Sequence, residues 1–150
     1  MYRILAAAGM FIFTSMIATS AFAEKIYYIH DGPGGSVVEH YAKFQQVAAE
    51  YDRVVIDGRC KSSCTMVLGL VPLARICITP RGYFMFHAAH MLNGDRTFNA
   101  RGTQNMLNAY APEVRDWVLR HHALEHVDPY TYLYARDVRF IRHCSAKGTT

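Results

Sequence analysis

Residues 25–30, 53–56, 75–79 and 83–86 are four short runs rich in β-branched, aromatic and aliphatic side chains, and segments of helical spacing separate the first three. Between the first two, Val38, Tyr41, Phe44, Val47 and Ala48 recur at three- and four-residue steps. That spacing predicts a helix with one apolar face, ending near Tyr51. Ser36 is placed to cap it, directly after the glycine turn Asp31-Gly32-Pro33-Gly34-Gly35. Residues 64–71 form a short apolar helix stopped by Pro72. Strand, helix, strand, helix, strand is the order of a parallel sheet with right-handed crossovers, because strands running the same way need a covering segment to return the chain. The fold class is therefore α/β.

The remainder is more helical. Residues 103–110 and 113–122 are two pieces divided at Ala111-Pro112, where proline starts the second helix more readily than it lies inside a longer one. The tail, residues 130–141, carries Tyr130, Tyr132, Leu133, Tyr134, Phe140 and Ile141 and must pack, although no periodicity fixes its type. Internal repeats and low-complexity linkers are absent, so one domain spanning residues 24–150 is the simplest account.

Ahead of this pattern lies Arg3, an apolar run over residues 4–17, and the small residues Ala21-Phe22-Ala23. This is the order of a secretory signal peptide, residues 1–23, with an A-x-A cleavage site; an uncleaved anchor is the alternative that its length allows. Cleavage of 23 residues from the 150 leaves 127, and no second apolar span follows. The processed chain is then periplasmic or secreted, without stable membrane association. Cleavage removes one of the 16 Lys and Arg and none of the 12 Asp and Glu, leaving a net charge of +3. The charges are scattered, which argues against nucleic acid as a partner.

An exported chain permits disulfides among Cys60, Cys64, Cys77 and Cys144, and sequence allows three pairings without choosing one. Zinc fits these cysteines poorly, since C-x-x-x-C is followed by no second tight pair. His87 with His90 and His122 with His126 have ligand-like spacing, but no H-E-x-x-H and no third ligand accompany them. The expectation is no metal and no cofactor.

Three stretches can carry chemistry. Pro33-Gly34-Gly35 can aim backbone N–H groups outward, and equally can be an ordinary strand-to-helix turn. Cys60-Lys61-Ser62-Ser63-Cys64 puts two serines at a strand-to-helix junction, where unpaired N–H groups suit a developing oxyanion; Ser62 as a helix cap is the plainer reading. Tyr83-Phe84-Met85-Phe86-His87 ends an apolar strand in a histidine, either a general base or a hydrogen-bonded structural residue. Together they mark the ends of neighbouring parallel strands, where open α/β sheets place their sites.

The runs "YYIHDGPGGSV", "DGRCKSSCTMVLGL" and "RICITPRGYFMFHAA" resemble the proteolytic subunit of Clp protease, and more closely its exported relatives with a C-x-S-x-C nucleophile motif, all of the ClpP/crotonase-like fold. The resemblance covers residues 25–90. A gapless alignment from Gly58 to His87 implies Ser62 as nucleophile, His87 as general base, and the N–H groups of Gly35 and Ser63 as the oxyanion hole, with Pro80 also matching. It implies an exported serine hydrolase acting on a peptide, protein or other acyl substrate, and a homo-oligomer, ring or trimer. The departures point to another class, a catalytically silent ClpP-like module that binds protein or forms oligomers. In the family a further strand and helix precede the glycine loop, so this chain is N-terminally shortened and part of the sheet is missing or supplied by a partner. The family's orienting acid falls on Asp128 or Asp137, and "YLYARDV" resembles the segment just after that acid, which favours Asp128. Asp128-Pro129 is also a turn signal, and a Ser-His pair with a backbone or amide orienter is a further alternative.

Overall fold

The computed structural model describes residues 23–94 and 96–145; the signal peptide expected over residues 1–23 lies outside them except for Ala23. The fold is mixed α/β, a curled and mostly parallel sheet with helices packed on it. Strands β1 (Ile26–Gly32), β2 (Arg53–Lys61), β3 (Ile76–Ile78) and β4 (Tyr83–Phe86) are joined by parallel pairing through β2. Strand β5 (Thr131–Tyr134) runs antiparallel to β4, and β6 (Arg142–His143) parallel to β3. The aromatic tail thus holds the edge strand β5 and a 3₁₀ turn at Ala135–Asp137, and β6 follows it on the other branch of the sheet.

Strand β2 shares one edge between two partners. β1 lies along its other edge, while Val54–Ile56 pair with β3 and Arg59–Lys61 pair with β4. The switch falls at Asp57-Gly58. There the register with β1 slips from Ile29↔Ile56 to Asp31↔Arg59, so that one strand carries an extra residue. Gly58 is required by close approach, because a Cβ at that position would lie 1.9 Å from the His30 carbonyl oxygen. The β-branched run that predicts this strand stops at Ile56, whereas the strand continues through the bulge to Lys61.

Helix α1 (Val37–Glu50) begins as expected, with the Ser36 hydroxyl accepting from the Glu39 N–H at 3.3 Å. It ends against Arg75, whose guanidinium donates to the carbonyls of Ala48 and Tyr51 and so satisfies the last turn. Phe44 and Val47 enter the core, but Val38 is 74% exposed and Tyr41 is also on the surface, so only the C-terminal half of the apolar stripe is covered. A 3₁₀ turn (Ser62–Met66) runs into the one-turn helix α2 (Val67–Leu70) in place of the single helix expected over residues 64–71. Helices α3 (Ala100–Ala109) and α4 (Pro112–Arg120) follow, Pro112 occupying the first turn of α4. Ile56, Ile76, Ile78, Phe84 and Phe86 from the sheet meet Phe44, Leu68, Met106 and Val118 in one core. Among the described residues no helix is long and apolar enough to cross a membrane.

Cys60 pairs with Cys64 and Cys77 with Cys144, which settles the pairing that the sequence left open. Both bonds fit an oxidising compartment. Their loops differ, 4 residues against 67. In chain-entropy terms, replacing Cys77 and Cys144 with alanine should lower unfolding free energy by about 4 kcal/mol, and replacing Cys60 and Cys64 by about 2 kcal/mol. Urea denaturation of the two double variants measures the difference.

Candidate active site

The C-terminal ends of β1, β2 and β4 deliver, in turn, the Pro33-Gly34-Gly35 loop, Ser62 and His87. All three line one cavity of about 460 Å³. Parallel pairing through β2 is what aligns these ends, so residues distant in the chain open onto the same space.

Ser62 holds φ +58°, in the left-handed region that side chains with a Cβ occupy at a cost of about 1–3 kcal/mol. Three contacts hold it there. The Cys60–Cys64 disulfide closes the turn around it. Thr65 Oγ1 donates to the Ser62 carbonyl at 2.6 Å, and because its proton is committed, the buried Tyr110 hydroxyl at 2.7 Å must donate to Thr65. Burial pushes the Tyr110 phenol pKa up and keeps that donor protonated. The Ser63 hydroxyl, fully buried, donates to the Gly35 carbonyl at 3.1 Å and ties the glycine loop to the serine turn.

The capping role considered for Ser62 is not what the structure shows. Lys61 occupies the cap position, and no side chain caps the turn. Ser62 instead lines the cavity. The Ser62 and Ser63 N–H groups precede the first bond of the 3₁₀ turn and are unpaired within it. Gly34, at φ +82°, packs so closely that a Cβ there would stand 2.7 Å from Ser62 Cβ and 2.8 Å from the Lys61 carbonyl oxygen.

His87 is 2% exposed. Its Nδ1 lies 3.1 Å from the Val127 carbonyl oxygen, which can only accept, so Nδ1 carries the proton. In the neutral ring Nε2 is then the acceptor, the tautomer a general base requires. Nε2 is buried and has no hydrogen-bond partner among the described residues. Burial, opposed by the Val127 bond and reinforced by the positive charges of His90, Arg96 and Lys61, lowers the His87 pKa from 6.5 to about 4.

Asp128 does not orient His87. Its carboxylate pairs with Arg96 at 3.0 Å, and the preceding carbonyl, that of Val127, takes the imidazole proton instead. Asp137 is in a turn and faces Arg136 at 3.5 Å, away from the cavity lining. The partner of the His87 Nδ1–H is thus a backbone carbonyl rather than a carboxylate. His122 pairs with Glu125, and the described residues hold no group of three or more His, Cys, Asp or Glu placed to bind a metal ion.

Two residues at the site carried no mark in the sequence. Tyr110 stood out only as a helix end, and Tyr130, whose ring centroid is 4.5 Å from that of His87, only as part of an aromatic tail. Neither lies near Ser62 or His87 in the chain. No family model matches the chain, and no curated protein matches it.

Two outcomes follow from this geometry. Gly34→Ala should cost about 1–3 kcal/mol of stability, since the methyl has neither space nor a favourable φ, and thermal denaturation measures it. For His87 the unfolded chain binds a proton between pH 6.5 and 4 that the folded chain refuses. The stability this residue contributes is fully present above pH 6.5 and is lost as pH falls through that window. Denaturation midpoints at pH 7.5, 5.5 and 4.5 should fall more steeply for the wild type than for His87→Gln.

Proposed function

We propose that the protein is an exported serine hydrolase of the ClpP/crotonase-like type, peptidase-like, working through an acyl-enzyme on Ser62. The observation that carries this reading is the meeting of a strained serine, a histidine in the base-competent tautomer and a glycine loop at one cavity. The parallel β1, β2, β4 arrangement and the gapless Ser62-to-His87 interval support the family resemblance.

In the proposed reaction, Ser62 Oγ attacks the acyl carbon as its proton passes to His87 Nε2. The tetrahedral oxyanion takes hydrogen bonds from the Gly35 and Ser63 N–H groups. Collapse breaks the bond to the leaving group, which receives the proton from Nε2. Water then attacks the acyl-enzyme with His87 again as base, releasing the acid and restoring Ser62. His87 remains neutral at pH 7, so it is ready to accept a proton, although among the described residues no carboxylate steadies the imidazolium it becomes. The two disulfides and the signal-like N-terminus support a periplasmic or secreted location.

A second reading, a catalytically inactive ClpP-like binding or oligomeric module, draws on a different observation: Nε2 makes no hydrogen bond to Ser62. Catalytic hydrogen bonds are often long in unliganded enzymes and tighten in the substrate complex. Labelling separates the two readings. A fluorophosphonate should modify Ser62 in the wild type, with rates reduced on the order of 10³-fold or more in Ser62→Ala and His87→Gln. Ser63→Ala should still be labelled. Equal labelling of wild type and Ser62→Ala overturns the hydrolase reading.

A further inference from the structure

The cavity at Ser62 is electrostatically one-sided. Lys61, Arg96 and Arg101 line it together with the imidazoles of His87 and His90, and no Asp or Glu is among its described lining residues. Arg96 is compensated by Asp128 at 3.0 Å. Lys61 and Arg101 make no ion pair with any described carboxylate.

The placement of these two cations does not serve the fold. Arg101 sits in the first turn of α3, where the helix dipole disfavours positive charge and where no acidic residue offsets it. Lys61 is the last residue of β2, next to the serine, and its ammonium lies 5.7 Å from the Tyr130 ring centroid. The same ring stands 4.5 Å from His87, and its hydroxyl bonds Arg96 at 3.3 Å. Tyr130 therefore gathers two cations beside the histidine, and Lys61 has no described carboxylate within ion-pair distance, its field reaching Asp31, which Arg59 already pairs.

We propose that this cavity selects acyl substrates bearing a carboxylate close to the reacting carbonyl, with Lys61 and Arg101 as the residues that recognise it. The proposal rests on the hydrolase reading and names its substrate class. A carboxylate bound in this cavity supplies negative charge that its described lining lacks, in a partly enclosed site where charge pairs are worth more than in open water. It also offsets the positive field that opposes protonation of His87, so an acidic substrate assists its own turnover. The carboxylate has two sources, an acidic side chain beside the scissile carbonyl or the free C-terminus of a short peptide.

The purified, disulfide-bonded protein tests this with two diphenyl phosphonate probes that differ only in a glutamyl or glutaminyl side chain, and with pentaalanine ending in carboxylate or carboxamide as competitors of labelling. A side-chain source gives at least tenfold faster labelling by the glutamyl probe; a C-terminal source gives competition by the acid form at tenfold lower concentration than the amide. The preference should shrink to within about twofold in Lys61→Gln/Arg101→Gln, persist in Lys61→Arg, and weaken as salt is raised from 0.05 to 0.5 M, as screening requires. Because each result is a ratio within one variant, a partly unfolded preparation does not mimic it. Labelling of Ser62 with no discrimination in either pair overturns the carboxylate proposal and leaves the hydrolase reading standing. No labelling by these probes or by the plain fluorophosphonate overturns both.

Discussion

The double use of one edge of β2 is the constraint on which the rest of the structure depends. A straight strand presents one edge to one neighbour. Here the extra residue at Asp57-Gly58 turns β2 enough for β3 to pair before it and β4 after it, while β1 follows the whole strand on the other side. The sheet curls, and the ends of β1, β2 and β4 come together on one side. Had β4 paired elsewhere, His87 would not share a cavity with Ser62.

The second dependency is local. A serine at φ +58° persists only where its surroundings over-determine it, and the surroundings do so redundantly: a disulfide across the turn, a threonine on its carbonyl backed by a buried tyrosine, and a neighbouring hydroxyl reaching to the glycine loop. These contacts link α3, the turn and the loop into one rigid support. The electrostatics run the other way, toward incompleteness. Buried imidazole, a carbonyl in place of a carboxylate, and a surplus of cations keep His87 neutral and leave the cavity positive.

Much of the frame was legible in the chain. Strands β1 and β4, the Ser36 cap and the Pro112 start rest on contacts a few residues long, which local pattern records. Strand β2 outruns its β-branched segment, Arg53–Ile56, because Asp57-Gly58 bulges against β1 and the chain then pairs with β4, contacts that only the facing strands supply. The exposed Val38 shows the limit of periodicity, which tells where apolar residues line up but not how far the partner surface extends. At the site, the glycine turn, the Cys60-to-Cys64 stretch and His87 stand out as strand-end features, whereas the roles expected of Gly35, Ser62 and His87 within them come from the family resemblance. Asp128 was expected to orient the histidine, yet the imidazole meets a backbone carbonyl, a group every residue carries and no sequence pattern marks.

By itself, then, the sequence determined the α/β order of elements, the apolar stripes and turns that build them, and the histidine that follows an apolar strand. Those properties follow from side-chain spacing and backbone preference within a few residues. The tertiary structure alone decided the pairing of four cysteines, the branching of the sheet, the left-handed backbone of Ser62, the tautomer of His87 and the arrival of Tyr110 and Tyr130 at the site. Except for the Cys60–Cys64 bond and the Thr65 contact with the Ser62 carbonyl, which close a short turn, these arise from groups tens of residues apart whose separation in space is set by the packed sheet, and chain order carries no measure of that distance.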